Sequence, residues 1–142
     1  MLRAWTRKDI GKIAEIEKRC FPKGAWTKEQ IESSFNGDFF SVLYEQGEIL
    51  GYLGAVLNAW EAEIVFIAVD SPFRNRGVAT KMLDELKKFA IATKREKIFL
   101  EVRKSNTSAI NLYVKNGFKA FSERKNYYED EDGICMVFEI NG

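Results

Sequence analysis

Along the chain, apolar positions alternate between a repeat near 3.6 residues and a repeat of two. Ile10, Ile13, Ala14, Ile16 and Cys20 recur at helical spacing. Thr6-Arg7-Lys8-Asp9 precedes them, with Thr6 able to cap the first free N–H groups and Asp9 in the positive first turn. This predicts a helix ending before Phe21-Pro22. Thr27-Lys28-Glu29-Gln30 has the form of a capping box and predicts a second, shorter helix carrying Ile31 and Phe35. Phe39 to Tyr44 and Ile49 to Leu57, joined through Gln46-Gly47, read as two strands. Glu63 to Val69 is a continuous β-branched and apolar run, the pattern of a central strand covered on both faces.

After Asp70-Ser71-Pro72 and Arg74-Asn75-Arg76-Gly77, the residues Ala79, Met82, Leu83, Leu86, Phe89 and Ala90 share one face of a long amphipathic helix. Ile98 to Arg103 is the next strand, with Ile98, Leu100 and Val102 on one face and Phe99, Glu101 and Arg103 on the other. Asn106 caps a helix carrying Ala109, Ile110, Tyr113 and Val114, and Gly117 sits where such a helix ends. Strands around Phe118 to Glu123 and Ile134 to Ile140 complete the pattern. No repeat or Pro/Ser-rich linker interrupts it, so a single domain over residues 1–142 is expected, a mixed α+β sheet with helices on both faces.

Composition narrows the chemistry. The chain has 142 residues, 46% of them hydrophobic, enough for a core without disulfide or metal staples. Its net charge of +1 offers no broad basic face, so nucleic acid is not an expected partner. There is no histidine. That removes Ser-His-Asp and Cys-His catalysis, His-ligated zinc and imidazole acid–base chemistry, and leaves a carboxylate, Lys, Tyr or Cys as any base. Cys20 and Cys135 form no paired motif, so no metal site is expected and a reducing, cytoplasmic setting is. No signal-like leader and no run near the ~20 apolar residues of a span is present, so no membrane association is expected.

The turn Arg74 to Thr80 joins a buried strand to a helix start, where backbone N–H groups and the helix dipole converge on one point, an anion cradle suited to a pyrophosphate. Gly77 and Ala79 permit close backbone approach, and Arg74, Arg76 and Lys81 add charge. Neither a Walker A nor a Rossmann glycine pattern is present. Taken alone, the same turn is also an ordinary glycine helix start with solvated arginines. Glu101, in an apolar strand, either pairs structurally with a cation such as Arg103 or faces a cleft with a raised pKa. Tyr113 alone reads as core, and Asn106 alone as a cap.

Together, Arg74-x-x-Gly77-x-Ala79 resembles the Arg/Gln-x-x-Gly-x-Gly/Ala motif of the GCN5-related N-acetyltransferase (GNAT) superfamily. Leu100-Glu101-Val102-Arg103, Asn106, Ala109, Leu112-Tyr113, Asn116-Gly117-Phe118 and Arg124-x-Asn126-Tyr127-Tyr128 resemble the RimI-type protein N-terminal alanine acetyltransferases. The resemblance implies α/β/α layers around a mixed, mostly antiparallel twisted sheet of six to seven strands, with a splayed central parallel pair and about four helices. It implies acetyl-CoA as donor, its pyrophosphate on Asn75, Arg76, Gly77, Val78, Ala79 and Thr80, its pantetheine arm along Ile67, Ala68 and Val69, and a contact from Asn106. Glu101 would be the general base and Tyr113 the general acid. Tyr127 and Tyr128 would bind the acceptor, a protein N-terminus, most of all the alanine of a ribosomal protein. A small amine as acceptor, or a non-catalytic acyl-CoA-binding module, are the rival readings. Ala79 replaces a frequent glycine, Glu63 and Phe66 stand where relatives often carry His and Asn, and the loop after Tyr128 is shorter than usual.

Overall fold

The computed structural model describes residues 1–140; residues 141 and 142 of the expected domain lie outside the described residues. Seven strands form one sheet: β1 (Leu2–Arg3), β2 (Phe39–Gln46), β3 (Glu48–Leu57), β4 (Glu61–Val69), β5 (Lys97–Arg103), β6 (Lys119–Tyr128) and β7 (Glu131–Glu139). Their order is β1-β2-β3-β4-β5-β7-β6. Every neighbouring pair is antiparallel except β4 and β5. Four α-helices cover it: α1 (Ile10–Cys20), α2 (Lys28–Phe35), α3 (Val78–Ala92) and α4 (Thr107–Lys115). The α+β fold and the layers expected from the sequence are therefore present.

Each face of the sheet has its own core. Val42, Leu53, Ala62, Ile64, Ile98, Leu100 and Val102 pack with Met82, Leu83 and Leu86 of α3 and Tyr113 of α4. On the other face, Leu43, Tyr52, Phe66 and Ala68 pack with Ile10, Ile13 and Ile16 of α1 and Ile31 of α2. β4 feeds both cores through a bulge. Its register with β3 runs Gly54↔Phe66 and then Ala55↔Ile64, leaving Val65 unpaired. Ala62 and Ile64 thus turn towards α3, while Phe66 and Ala68 turn towards α1. The bulge explains why the strand reads as continuously apolar. Gly54 stands opposite it because a Cβ there would lie 2.4 Å from Phe39 and 2.9 Å from Phe66.

Three local differences from the sequence reading have physical causes. The first helical segment begins as a 3-10 turn, Arg7–Asp9, in which Asp9 accepts from the Thr6 N–H at 2.6 Å and pairs with Arg3 at 2.8 Å. β1 is too short to show a period. β6 runs to Tyr128, beyond the expected Glu123, because it is an edge strand with nearly every residue exposed, so its sequence carries no apolar alternation.

Candidate active site

β4 and β5 are in register only at Glu61↔Lys97, Ala62↔Ile98 and Glu63↔Phe99. Beyond these pairs the strands part, and a cleft of about 1340 Å³ opens between Ile64–Val69 on one side and Leu100–Arg103 on the other. Asp70 N–H donates to the Leu50 carbonyl at 2.8 Å, which makes Leu50 and Asp70 a hydrogen-bonded pair. Antiparallel alternation then turns the backbone N–H and C=O of Val69 and Ile67 away from β3 and towards the gap. The Val69 carbonyl accepts there from Arg74 Nε at 3.0 Å.

The turn after β4 reaches the mouth of this cleft. Asn75 (φ 65°) and Gly77 (φ 76°) are both left-handed, and α3 starts at Val78. A Cβ on Gly77 would meet no atom within 4 Å, so the glycine leaves open space at the cleft wall. Asn75, Gly77, Val78, Ala79 and Thr80 line the cleft; Arg76 does not, its guanidinium resting 5.6 Å over the Phe73 ring. The other cations expected to add charge are engaged as well. Arg74 is held by Val69 and by the Cys20 sulfur, and Lys81 lies over the Tyr44 ring at 5.2 Å. The groups this turn offers an anion are the backbone N–H groups at the start of the fifteen-residue α3, with Arg74 on the same cleft wall.

Glu101 and Tyr113 line the same cleft. Glu101 is held by β5, whose alternate residues Leu100 and Val102 anchor the strand in the α3 core. Its Oε1 lies 3.3 Å from Arg124 of β6, and its Oε2 is buried without a hydrogen-bond partner. The alternative pairing with Arg103 is not formed. Arg103 bonds Asp130, Glu131 and the Lys23 carbonyl, and lies 4.3 Å over the Tyr128 ring. Burial pushes the Glu101 carboxyl above the usual carboxylate range; Arg124 opposes this and Glu63 adds to it. Tyr113 is buried at 6% exposure, edge-on to Phe118 at 5.9 Å, and burial raises its phenol well above the ordinary value. Its hydroxyl makes no side-chain hydrogen bond among the described residues.

Ile67, Ala68, Val69 and Asn106 line the cleft. Asn106 spends its side-chain oxygen on the Ala109 N–H at 3.2 Å as the cap of α4, leaving its amide for other contacts. Tyr128 also lines the cleft, whereas Tyr127 stands outside it, packed edge-on against Tyr128 at 5.0 Å and half exposed. Sequence reading missed Glu17, Trp26 and the Arg103 bridge. Glu17, 3% exposed, accepts from the Tyr52 hydroxyl at 2.6 Å and from the Trp26 N–H at 3.2 Å, so it anchors the segment between α1 and α2 at the cleft wall. A carboxylate within the apolar stripe of α1, beside Ile13, Ile16 and Cys20, was the available signal.

A splayed parallel pair, a glycine turn at a helix start, and a carboxylate and a phenol lining one cleft are a specific combination. The sequence profile described as "Acetyltransferase (GNAT) family" matches residues 10–118. The chain belongs to this family. It is 31% identical over 134 residues to a [ribosomal protein bS18]-alanine N-acetyltransferase of Haemophilus ducreyi, covering 94% of this chain and 92% of the relative. The crystal structure of the ribosomal-protein-S18-alanine N-acetyltransferase from Escherichia coli superposes with a TM-score of 0.87 at 25% identity, covering 100% and 94%. A GNAT-like fold also serves other acceptors. An aminoglycoside 6'-N-acetyltransferase complexed with coenzyme A superposes with a TM-score of 0.84 at 18% identity, covering 100% and 98%. Among the described residues no helix is long and apolar enough to cross a membrane.

Proposed function

We propose that this GNAT protein transfers the acetyl group of acetyl-CoA to the N-terminal α-amino group of a protein, with the alanine of a ribosomal protein as preferred acceptor. The observation that carries the reading is Glu101, a carboxylate with one buried, unpartnered oxygen at the wall of a cleft that Tyr113 also lines. The relatives named for ribosomal-protein alanine support the acceptor, and the coenzyme A complex of a like fold supports the donor.

The residues present fit acetyl-CoA. Backbone N–H groups of Asn75 and of Gly77 to Thr80 hold the pyrophosphate, with the space at Gly77 admitting it. The outward N–H and C=O of Ile67 take a pantetheine amide in strand fashion, in the gap that β5 leaves. Bound there, acetyl-CoA supplies an activated thioester. Glu101, directly or through a water, takes a proton from the acceptor ammonium. An α-amine has a pKa of about 7.7–8.0, so a carboxylate of raised pKa needs little driving force to free it. The outward Val69 N–H stabilises the oxyanion of the attacked carbonyl. Tyr113 donates to the departing sulfur. Its high pKa keeps it protonated at any assay pH, and the burial that disfavours its phenolate equally disfavours a free thiolate beside it. Tyr128 and the Arg103 bridge border the acceptor side, and Asn106 contributes through its amide.

The test is release of CoA thiol on mixing the protein, acetyl-CoA and peptides that differ in their first residue. Fastest release with an alanine-first peptide is expected. Release with small amines and none with any peptide would overturn the acceptor assignment, and no release with either would leave a binding module.

A further inference from the structure

Glu101 borders a second cavity as well as the cleft. This space, about 480 Å³, is lined by Asn58, Glu61 and Glu63, by Phe99 and Glu101 of β5, by Ser122 and Arg124 of β6, and by Cys135 of β7, with apolar neighbours from β3. It is many times the ~30 Å³ that one water occupies, and it offers the polar partners that ordered water needs. Its rim is open: Glu63, Asn58 and Ser122 are exposed, and Phe121 is 55% exposed. Arg124, which meets Glu101 Oε1, lines this cavity and not the cleft.

The reaction needs such an opening. An acceptor ammonium arrives with three protons. As the N–C bond to the acetyl carbon forms and the C–S bond breaks, one proton stays on the amide, one ends on sulfur and one must reach solvent. With donor and acceptor filling the cleft, the wall of Glu101 on that side is closed. We infer that the smaller cavity is the proton exit of the base: Glu101 passes its proton through water there to Glu63, and Glu63 delivers it to solvent. Glu63 suits the relay by position. It flanks Phe99 in the parallel register, on the face of the sheet that carries Glu101, and its side chain is solvent-exposed. The groups around Glu101 are Glu63 from β4, Arg124, Tyr127 and Tyr128 from β6, and Cys135 from β7. Of these, Glu63 is the carboxylate at the exposed rim of the cavity that Glu101 also lines.

This rests on Glu101 being the base, so the experiment separates the two claims. Glu63→Gln and Ser122→Trp, the second placing a bulky side chain in the cavity from an exposed strand, are assayed with both substrates saturating and little buffer, beside Glu101→Gln. For Glu63→Gln, kcat is expected to fall by about three- to tenfold, below the ~10²–10⁴ of losing a positioned base. The KM of the acceptor stays constant, and added formate, a small proton carrier, restores the rate. Ser122→Trp lowers kcat similarly and is not restored by formate. Full kcat in both variants, a change in KM alone, a loss that formate does not restore in Glu63→Gln, or rescue that survives the Ser122→Trp plug overturns the exit route. Full activity in Glu101→Gln overturns the base itself.

Discussion

Replacing Gly77 by alanine separates the fold from the donor site, because the structure assigns different costs to each. The residue sits at φ 76°, where an L-residue costs about 1–2 kcal/mol. No atom lies within 4 Å of the added Cβ, so no clash adds to that figure. The variant should therefore fold, with Tm lowered by a few degrees for a chain of this size. Donor binding should suffer more. The methyl occupies the space at the cleft wall and pushes the pyrophosphate off one backbone N–H group, a charge-assisted hydrogen bond worth about 1.5–3 kcal/mol. The Kd for acetyl-CoA should rise by about 10- to 150-fold. Acetyl-pantetheine, which lacks the phosphates, should bind both proteins equally. Titration calorimetry with the two ligands checks this. Unchanged acetyl-CoA affinity in the alanine variant, or an equal loss for acetyl-pantetheine, would show that the phosphates are not held at this turn.

Glu101→Gln should lower kcat by about 10²–10⁴ with donor affinity kept, and its residual rate should recover as pH rises above the acceptor amine's pKa; a stopped assay across pH checks both. Because Arg124 holds the Glu101 carboxyl down against burial, Arg124→Gln should move the acidic limb of the pH–rate profile to higher pH, and a limb that stays in place would deny that contact its role. Tyr113→Phe keeps the ring in the α3 core and should cost about 10–10²-fold in kcat with little change in Tm; full activity would return Tyr113 to packing alone. Asp9→Asn removes one of the two carboxylate partners of Arg3 and leaves Glu45 in place. Arg3 is 31% exposed, so the loss should be about 1–2 kcal/mol rather than the ~3–5 of a fully buried pair. Since Arg3 lowers the Asp9 pKa, this stability is present above the unfolded carboxyl value and vanishes as pH falls through the folded one, so chemical denaturation at low pH should show wild type and variant converging.

Periodicity revealed the elements whose packing repeats within one segment. The stripe of α3, the alternation of β5 that turns Glu101 away from Leu100 and Val102, and the capping of α4 by Asn106 all follow from spacing. What spacing could not show is set by partners distant in sequence. Arg124 reaches Glu101 only because β7 lies between their strands, with Cys135 opposite both Glu101 and Ser122. The contacts of Arg74 with the Val69 carbonyl and of Lys81 with the Tyr44 ring likewise join residues that spacing does not bring together. The bulge at Val65 is invisible in a run that is apolar throughout, yet it decides which core each half of β4 enters. The second cavity exists only once β6 closes over Glu63 and Phe99.

The central claim is chemical selectivity for an N-terminal α-amine. One peptide carrying both a free N-terminal alanine and an internal lysine, incubated with the protein and acetyl-CoA and mapped by tandem mass spectrometry, tests it most directly. The account predicts acetyl on the alanine nitrogen alone, because the α-amine, with a pKa near 8, yields its proton to Glu101 far more readily than a lysine with a pKa near 10.4. Acetyl on the lysine, undiminished when the N-terminus is blocked, would contradict it.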